Sequence, residues 1–312
     1  MVLVCDAHIP YLVEAVRMNW PQVQVCPLEP EQIDALAVRE ADVLVVRTRT
    51  QVNKILLEGS RVRLVCTATI GFDHIDTAYC EAQGIHWASC PGCNAKAVCE
   101  YIEEAIEEVI SHFPFPISPF STIGIVGVGH VGSLVAEMAK RRGMNILLND
   151  PPKGIGVSLD EIAEKADIIT FHTPLDSSTF HLCDEAFLKR CKPGALIINA
   201  ARGGVVDEKA LLESGHPYIL DTWENEPAID RKVLNGAFRA SMHIAGYSQE
   251  GKWNASQMCL NRIAEELQLP AVSLPLLPPK KVQEKNWLET ITEVLKAYPE
   301  RFETLRKNYP LR

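Results

Sequence analysis

Three polar residues that could act together in catalysis lie shortly after predicted strands. Arg202 follows the apolar run Leu196–Ala200, Glu226 follows Ile219–Trp223, and His243 lies in the segment SMHIAGY. An arginine can bind a carboxylate through two parallel hydrogen bonds, and an imidazole can exchange a proton near neutral pH. A carboxylate beside the imidazole favours its charged form. This combination suits the oxidation of a 2-hydroxy acid, in which a base removes the hydroxyl proton while a hydride leaves the same carbon.

Each of these residues could instead be structural when it is taken singly. Arg202 could cap a helix or lie on the surface, Glu226 could be a turn residue before Pro227, and His243 could be a satisfied strand histidine. The carboxyl ends of parallel strands meet at one edge of a sheet, where ligands bind. Their shared position after strands therefore favours a common site.

A glycine-rich turn in residues 121–150 indicates a dinucleotide site. Gly127, Gly129 and Gly132 form G-x-G-x-x-G between a buried strand and a predicted helix over Val131–Met144. The first glycine permits a tight turn, the second lets the backbone approach a pyrophosphate, and the third allows helix and strand to pack closely. Asp150 ends the following strand, where a carboxylate can accept hydrogen bonds from ribose hydroxyls.

The acidic residue also favours NAD over NADP as the cofactor. Asp150 would repel a 2′-phosphate, and nearby Lys153 is only a weak argument to the contrary. The alternative is a glycine-rich turn that binds nothing. The complete strand–turn–helix–strand context argues against that alternative.

Alternation of apolar strands with amphipathic helices predicts an α/β protein with two doubly wound parallel sheets. We expect a flavodoxin-like substrate domain over residues 1–93 and 252–270, and a Rossmann-like NAD domain over 94–251. The predicted strands are Val2–Cys5, Val23–Cys26, Val43–Arg47, Leu64–Thr67, Ile85–Ala88, Ile146–Leu148, Ile168–Phe171, Leu196–Asn199, Ile219–Asp221 and Ser241–Ile244. The other predicted helices are Tyr11–Trp20, Gln32–Arg39, Ile75–Gln83, Asn94–Phe113, Leu159–Ala166, Glu185–Arg190, Glu208–Glu213 and Glu250–Leu267.

Composition excludes several classes of function. The chain has 312 residues, 47% hydrophobic and 23% charged, with a net charge of −9. A general nucleic-acid binder needs clustered lysine and arginine and is therefore not expected. No apolar run is long enough to span a membrane and no signal peptide is recognisable, so we expect a cytoplasmic protein. Cys90-Pro-Gly-Cys93 lacks a second ligand pair, so we expect no metal site.

Several motifs resemble those of the D-2-hydroxyacid dehydrogenases. The resemblance rests on IGIVGVGHVG, on HTPL at residues 172–175, on INAARGGVVD and on LDTWENEP. A narrower match within that family covers TATIGFDHID, PGCNAKAV, LLNDPP, HIAGYSQEGK and LRKNY, which together span nearly the whole chain. The resemblance implies hydride transfer from a small phosphorylated 2-hydroxy acid to NAD by a homodimer.

The resemblance also implies a role for each matching residue. Arg202 would orient the substrate carboxylate, Glu226 would pair with His243, and His243 would act as the acid/base. Thr48, Thr69 and Tyr247 would contact the substrate, and the family commonly has serine at the position of Thr48. The cofactor-binding residues would be Gly127, Gly129, His130, Val131, Gly132, Asp150, Thr173, Ala200, Ala201, Asp221 and Gly246.

A substrate phosphate would need cations besides Arg202. Arg47 and Arg49 follow a predicted strand and are the first candidates, and Arg306 and Lys307 could contribute from a partner chain. The alternative is that Arg47 and Arg49 belong to a solvated strand end. We expect residues 271–312 to form a linker and an abbreviated C-terminal dimerisation region, because the resembled family member has a longer one.

The sequence is also compatible with two other functions. One is the oxidation of another D-2-hydroxy acid, of which 3-phosphoglycerate is the nearest phosphorylated example. The other is a non-catalytic NAD-sensing corepressor of the same fold, which would be marked by an incomplete trio or by a surface groove for peptides. The trio here is complete, which favours an enzyme.

Overall fold

The computed structural model describes residues 1–112, 121–277 and 286–311. The chain forms two compact units, the first from Met1–Asn94 with Ser248–Lys280 and the second from Ala95–Tyr247 with Lys281–Arg312. The sequence placed 271–312 in a separate C-terminal region, whereas the structure divides these residues between the two units. Residues 278–285 of that predicted linker lie outside the described residues. No helix in the described ranges is long and apolar enough to cross a membrane.

The first unit contains a parallel sheet with the strand order β2-β1-β3-β4-β5 among the described residues. The strands are β1 (Val2–Asp6), β2 (Gln24–Leu28), β3 (Val43–Val46), β4 (Leu64–Thr67) and β5 (His86–Ala88). Its helices are α1 (Leu12–Asn19), α2 (Lys54–Leu57), α3 (Thr77–Ala82) and, from later in the chain, α10 (Gln249–Leu267). β3 and β4 are buried along their whole length, as their continuous apolar runs predict. The order 2-1-3-4-5 is the predicted flavodoxin-like arrangement.

One helix predicted in the first unit is wrong. Residues Gln32–Arg39 do not form an α-helix; the short 3₁₀ turn Pro30–Gln32 is followed by irregular chain and turns. Ile33 and Val38 are nevertheless buried in the apolar cluster beside β3. Burial of two apolar residues five positions apart does not require a helix, and Leu36, which a helix would place beside Ile33, is exposed.

The second unit contains a sheet with the order β12-β11-β10-β9-β6-β7-β8 in the described part of the chain. The pairs are parallel except for the short strand β8, which runs antiparallel to β7. Its strands are β6 (Thr122–Val126), β7 (Asn145–Asp150), β8 (Ile155–Gly156), β9 (Ile168–Phe171), β10 (Leu196–Asn199), β11 (Tyr218–Leu220) and β12 (Arg239–Ala240). Its helices are α4 (Ala95–His112), α5 (His130–Arg141), α6 (Leu159–Lys165), α7 (Glu185–Arg190), α8 (Glu208–Ser214), α9 (Arg231–Gly236), α11 (Trp287–Ala297) and α12 (Phe302–Asn308).

This strand order confirms the predicted Rossmann-like arrangement. The order reverses between β6 and β9, which is the switch point where open α/β sheets bind ligands. The glycine-rich turn follows β6, and the loops that carry Arg202 and Glu226 follow β10 and β11. The predicted helix Asn94–Phe113 is observed as α4, and Phe113 lies outside the described residues.

The strand predicted over Ser241–Ile244 is wrong, because the last strand of this sheet is only Arg239–Ala240. Ile244 and Ala245 donate their backbone N–H groups to the Asp221 carboxylate, at 2.7 and 2.9 Å. These donors are therefore not available to a sheet partner. The segment around His243 becomes a loop at the carboxyl edge of the sheet.

The C-terminal residues join the core of the second unit. Leu288 and Leu295 of α11 and Phe302 of α12 are fully or nearly fully buried in its main apolar cluster. The Thr292 hydroxyl donates to Leu288 O and lies within hydrogen-bonding distance of both the backbone N and O of Ala240 on β12. These contacts fix α11 against the edge of the sheet.

Candidate functional site

The glycine-rich turn has the geometry that its sequence predicts. Gly127 has a φ of +89°, and a Cβ there would lie 2.7 Å from His172 O. A Cβ on Gly132 would lie 1.9 Å from Gly127 O, so only glycine permits this contact between α5 and the turn. A Cβ on Gly129 would meet no protein atom within 4 Å. The turn is thus tightly packed at its first and third glycines and open at the second.

These residues fit the phosphates of a dinucleotide. Helix α5 begins after Gly129 with no side-chain cap, which leaves its first N–H groups to bind an anion. Thr173 lies beside Gly127, and its Oγ1 is buried without a hydrogen-bond partner in the described ranges. A buried hydroxyl is rarely unpaired, so a ligand atom is a reasonable partner. His130 is exposed and Val131 half-buried at the start of the helix.

Asp150 lies at the end of β7 next to the same turn. Its Oδ2 accepts the N–H of Val128 at 2.9 Å, and its Oδ1 accepts no hydrogen bond from a described residue. Lys153 donates to Val128 O at 2.7 Å, and its Nζ lies 3.6 Å from Asp150 Oδ2. One carboxylate oxygen therefore holds the turn, and the other is available to a ribose hydroxyl.

The loop after β10 presents Arg202. Asn199 shapes this loop, because its side chain donates to Arg202 O at 2.8 Å and accepts from Ala201 N at 3.0 Å. Arg202 Nη1 donates to Ala201 O at 2.8 Å, and its other four N–H groups have no acceptor among the described residues. Those donors can bind a carboxylate. Ala200 and Ala201 are half-buried in the same loop.

Gly203 joins this loop to the one after β11. A Cβ on Gly203 would lie 2.0 Å from both C and O of Trp223 and 2.5 Å from Glu224 N. The two loops therefore pack backbone against backbone. This close approach brings the segment that carries Arg202 beside the segment that carries Glu226.

His243 and Glu226 form a direct pair. His243 Nδ1 lies 2.9 Å from Glu226 Oε2, and Glu226 Oε1 accepts the N–H of Trp223 at 2.9 Å. An ionised carboxylate only accepts hydrogen bonds, so Nδ1 carries the proton and Nε2 is left as the basic nitrogen. The His243 side chain is 30% exposed, which leaves the imidazole accessible to a ligand.

The pair holds Glu226 ionised. Burial would raise the pKa of Glu226, but the hydrogen bond and charge of His243, the N–H of Trp223 and the positive charge of Arg306 outweigh it. The pKa of Glu226 therefore lies below its ordinary value. A stable carboxylate at this position stabilises positive charge on the imidazole.

Asp221 fixes the backbone on which His243 lies. Asp221 is fully buried, and its carboxylate accepts the hydroxyl of Ser241 at 2.6 Å in addition to the N–H groups of Ile244 and Ala245. Its backbone oxygen accepts the N–H of His243 at 2.7 Å. His243 has a φ of +57°, in the left-handed region that non-glycine residues seldom adopt. These hydrogen bonds offset the strain of that conformation.

The remaining residues predicted in the second unit lie in or beside this segment. Gly246 and Tyr247 are half-buried and lie three and four positions after His243. Asp221 is predicted to contact the cofactor, but its carboxylate already accepts three hydrogen bonds from the protein. Its position therefore favours a structural role, in addition to any contact with a ligand. Roles in ligand binding remain predictions for all of them.

In the first unit, Arg47 is bound to a buried carboxylate. Its Nε and Nη2 donate to Asp6 at 2.8 and 3.0 Å, and Asp6 has no exposed surface. This bidentate pair joins the ends of β1 and β3, so much of the guanidinium is already used. Thr48 is exposed, and the hydroxyl of Thr69 is 2.6 Å from that of Thr67 and donates to Gly71 O.

The structure adds groups that the sequence did not identify. Ser241 links Asp221 to Tyr101, because its hydroxyl donates to the Asp221 carboxylate and lies 2.9 Å from the Tyr101 hydroxyl. Glu208 accepts the N–H of Glu224 at 2.6 Å, and burial raises the pKa of Glu208 to about 8. The signal for Ser241 was its place two residues before His243. Nothing in the local sequence marks Glu208, because its burial arises from packing between distant segments.

The cysteines show no sign of a reactive or metal-binding role in the described ranges. No group of three potential ligands there could hold a metal ion. Burial raises the pKa of Cys93 to about 12, which disfavours the reactive thiolate. Cys90 Sγ lies 3.6 Å from Cys259 Sγ inside the apolar core of the first unit.

Comparisons with known proteins identify the family to which the chain is similar. Residues 117–257 match the family model of the D-isomer specific 2-hydroxyacid dehydrogenase NAD-binding domain. The chain is 40% identical over 343 residues to an erythronate-4-phosphate dehydrogenase of Bacteroides thetaiotaomicron, which covers 100% of this chain and 97% of that protein. It is 42% identical over 296 residues to the erythronate-4-phosphate dehydrogenase of Cronobacter sakazakii, and this match covers 89% of this chain and 77% of that protein.

Solved structures share the fold. The NAD⁺-bound 3-phosphoglycerate dehydrogenase of Entamoeba histolytica superposes with a TM-score of 0.72 at 24% identity and covers 89% of this chain and 99% of that one. The D-lactate dehydrogenase of Aquifex aeolicus, complexed with NAD and lactic acid, superposes with a TM-score of 0.67 at 24% identity. The match covers 86% of this chain and 96% of that one.

Proposed function

The chain belongs to the D-2-hydroxyacid dehydrogenase family, and on that basis we propose that it oxidises 4-phospho-D-erythronate with NAD to 2-oxo-3-hydroxy-4-phosphobutanoate. The family membership confirms the resemblance that the motifs indicated. The observation that carries the proposed substrate is the similarity to erythronate-4-phosphate dehydrogenases over the full length of the chain. The proposed reaction is a step towards pyridoxal phosphate (vitamin B6).

The geometry of the second unit supports the chemistry of this reaction. The free donors of Arg202 bind the substrate carboxylate and orient the adjacent carbon. Nε2 of His243 accepts the hydroxyl proton, and Glu226 stabilises the imidazolium that forms. Bound NAD supplies the hydride acceptor. The left-handed backbone of His243 and its hydrogen bonds to Asp221 keep the imidazole oriented before substrate binds.

The glycine-rich turn, Asp150 and Thr173 would hold the dinucleotide. The open space at Gly129 admits the pyrophosphate, and the first N–H groups of α5 bind its oxygens. Asp150 accepts from the adenosine ribose through its available oxygen, which favours NAD over NADP. Thr173 contributes a buried hydroxyl without a described partner.

We also propose that the protein is a homodimer and that it is located in the cytoplasm. All ten cysteines are free thiols, and nine are buried, which suits a reducing compartment. The first unit would serve as the substrate domain and α4 would supply dimer contacts. Light scattering during size-exclusion chromatography gives the oligomeric state; a monomer at micromolar concentration would exclude the dimer.

The decisive test is NADH production by the purified protein with a panel of 2-hydroxy acids. The panel contains 4-phospho-D-erythronate, D-erythronate, 3-phospho-D-glycerate and D-lactate. We expect the highest kcat/KM with 4-phospho-D-erythronate. Preference for 3-phosphoglycerate would assign the other phosphorylated substrate, and absence of turnover with tight NAD binding would favour the corepressor-like alternative.

A further inference from the structure

Arg306 lies on α12 in the same unit as the His243–Glu226 pair. Its Cζ lies 5.9 Å from the centre of the Tyr247 ring. The sequence alone allows Arg306 to act from a partner chain. In the structure, α11 and α12 pack into the core of the second unit, so this guanidinium approaches the pair within one chain.

The hydrogen-bonding capacity of Arg306 is largely unused. The side chain is only 24% exposed, and its Nε is buried without an acceptor among the described residues. Its one described ion pair, from Nη1 to Glu303 Oε1, is long at 3.4 Å. A buried donor without a partner costs free energy, and most such donors in proteins are paired or serve a ligand. The guanidinium is therefore held in place with donors to spare.

The guanidinium also interacts with the charges of the site. Burial would lower the pKa of Arg306, but the nearby Tyr247, Glu303, Glu226 and Asp221 raise it. The effect is mutual, because Arg306 helps to lower the pKa of Glu226. Arg306 thus remains a full cation within electrostatic reach of the catalytic pair.

The substrate class requires two anion-binding groups. A phosphorylated 2-hydroxy acid carries a carboxylate at one end and a phosphate at the other, and Arg202 is already suited to the carboxylate. Arg47, the first candidate for the phosphate, is committed to Asp6 through two hydrogen bonds. An arginine edge that presents Nε and one Nη matches two oxygens of a phosphate.

We propose that Arg306 binds the substrate phosphate from within the same chain, next to Tyr247, and so selects phosphorylated over non-phosphorylated 2-hydroxy acids. This inference rests on the proposed function and assigns the phosphate-recognising residue within it. Arg306 is a specificity-determining residue that takes no part in proton transfer. The C-terminal helices then complete the substrate site as well as the core.

The test compares Arg306→Ala with the parent on 4-phospho-D-erythronate and D-erythronate. Charge-assisted hydrogen bonds contribute about 1.5–3 kcal/mol, so kcat/KM for the phosphorylated acid should fall roughly 10- to 150-fold, mainly through KM. With D-erythronate, kcat/KM should stay within about twofold. Arg306→Lys keeps the charge but not the two-donor edge, and should lose less.

Arg301→Ala is the matched control. Arg301 belongs to the same C-terminal segment and is exposed, with its Cζ 5.0 Å from the centre of the Tyr298 ring. It should leave both substrates unaffected. Thermal unfolding checks that each variant is folded, and Arg306→Lys replaces Arg306→Ala if the latter is not.

Inorganic phosphate provides a second readout that does not depend on the assigned substrate. Phosphate should inhibit oxidation of D-erythronate competitively in the parent and at least tenfold more weakly in Arg306→Ala. Equal losses on both acids, with phosphate inhibition unchanged, would overturn the assignment and make Arg306 structural. If the parent instead prefers another phosphorylated acid and Arg306→Ala selectively impairs that acid, the proposed substrate fails while the role of Arg306 stands.

Discussion

Nδ1 of His243 and Oε2 of Glu226 lie 2.9 Å apart although the two residues are 17 positions apart in the chain. Two adjacent loops at the carboxyl edge of one sheet make this contact. Asp221 holds the loop of His243 from one side, and the N–H of Trp223 holds Glu226 from the other. In the proposed reaction, proton transfer would therefore depend on a pair whose two members are each fixed by backbone hydrogen bonds.

Removal of the imidazole should abolish most of the activity. We expect His243→Ala to lower kcat/KM for oxidation by roughly 10²- to 10⁴-fold, the usual contribution of a general base. NAD affinity, measured by quenching of protein fluorescence, should change less than twofold. The exposed His8, paired with Glu29, gives the control His8→Ala, which should keep full activity. A His243→Ala enzyme with most of its rate would remove this residue from the mechanism.

The carboxylate partner should set the pH dependence. Oxidation needs the neutral imidazole of His243, so kcat/KM should rise with pH on the acidic side of the pH profile. An ionised Glu226 favours imidazolium, and Glu226→Gln removes that stabilisation. The midpoint of this pH dependence should therefore move to lower pH in steady-state profiles between pH 5 and 10. A midpoint identical to that of the parent would mean that the two side chains do not interact in solution.

Two glycines of the turn should respond differently to alanine. A Cβ at Gly129 meets open space, so Gly129→Ala should keep the parental melting temperature but raise the Kd for NAD at least tenfold. A Cβ at Gly132 would lie 1.9 Å from Gly127 O, so Gly132→Ala should destabilise the protein by roughly 1–3 kcal/mol. Calorimetry and NAD titration separate these effects. Undiminished NAD binding by Gly129→Ala would place the pyrophosphate elsewhere.

Asp150 should control the choice of dinucleotide. Asp150→Ala removes the oxygen available to a ribose and leaves Lys153, 3.6 Å from the deleted carboxylate, to face a 2′-phosphate. NAD affinity should fall roughly 10- to 100-fold, while NADP affinity should rise. Glu137→Ala, an exposed carboxylate on α5, is the control with the same change of charge. Parallel losses of both nucleotides would argue that Asp150 acts only by holding the turn through Val128.

Glu208 should make stability depend on pH. Burial raises the pKa of Glu208 from 4.5 to about 8. The contribution of the protonated side chain to the free energy of unfolding is therefore fully present below pH 4.5 and is lost as the pH rises towards 8. Glu208→Gln cannot ionise and should gain stability relative to the parent across that window, by at most about 1.4 kcal/mol per pH unit. Urea unfolding at pH 5, 6.5 and 8 measures the difference. The exposed Glu213 on the same helix gives the control Glu213→Gln, whose difference from the parent should be independent of pH.

Much of the fold was predictable from local signals. β9, β10 and α7 have the predicted bounds, because continuous apolar runs and capping residues such as Asp184 act over a few positions. The glycine-rich turn is only partly local: Gly132 packs against Gly127 in the same strand–turn–helix unit, whereas Gly127 packs against His172, which follows β9. The expectation that Arg202, Glu226 and His243 share one edge followed from a general property of parallel sheets.

The sequence by itself thus determined the alternation of strands and helices, the dinucleotide turn and the family. Only the tertiary structure decided which polar groups remain available to a ligand. The carboxylate of Asp221 turns a predicted strand into the loop that carries His243, and the carboxylate of Asp6 engages Arg47. Packing of α11 and α12 places Arg306 beside Tyr247. These outcomes depend on partners 23 to 59 positions away in the chain, and such contacts exist only after the backbone has folded.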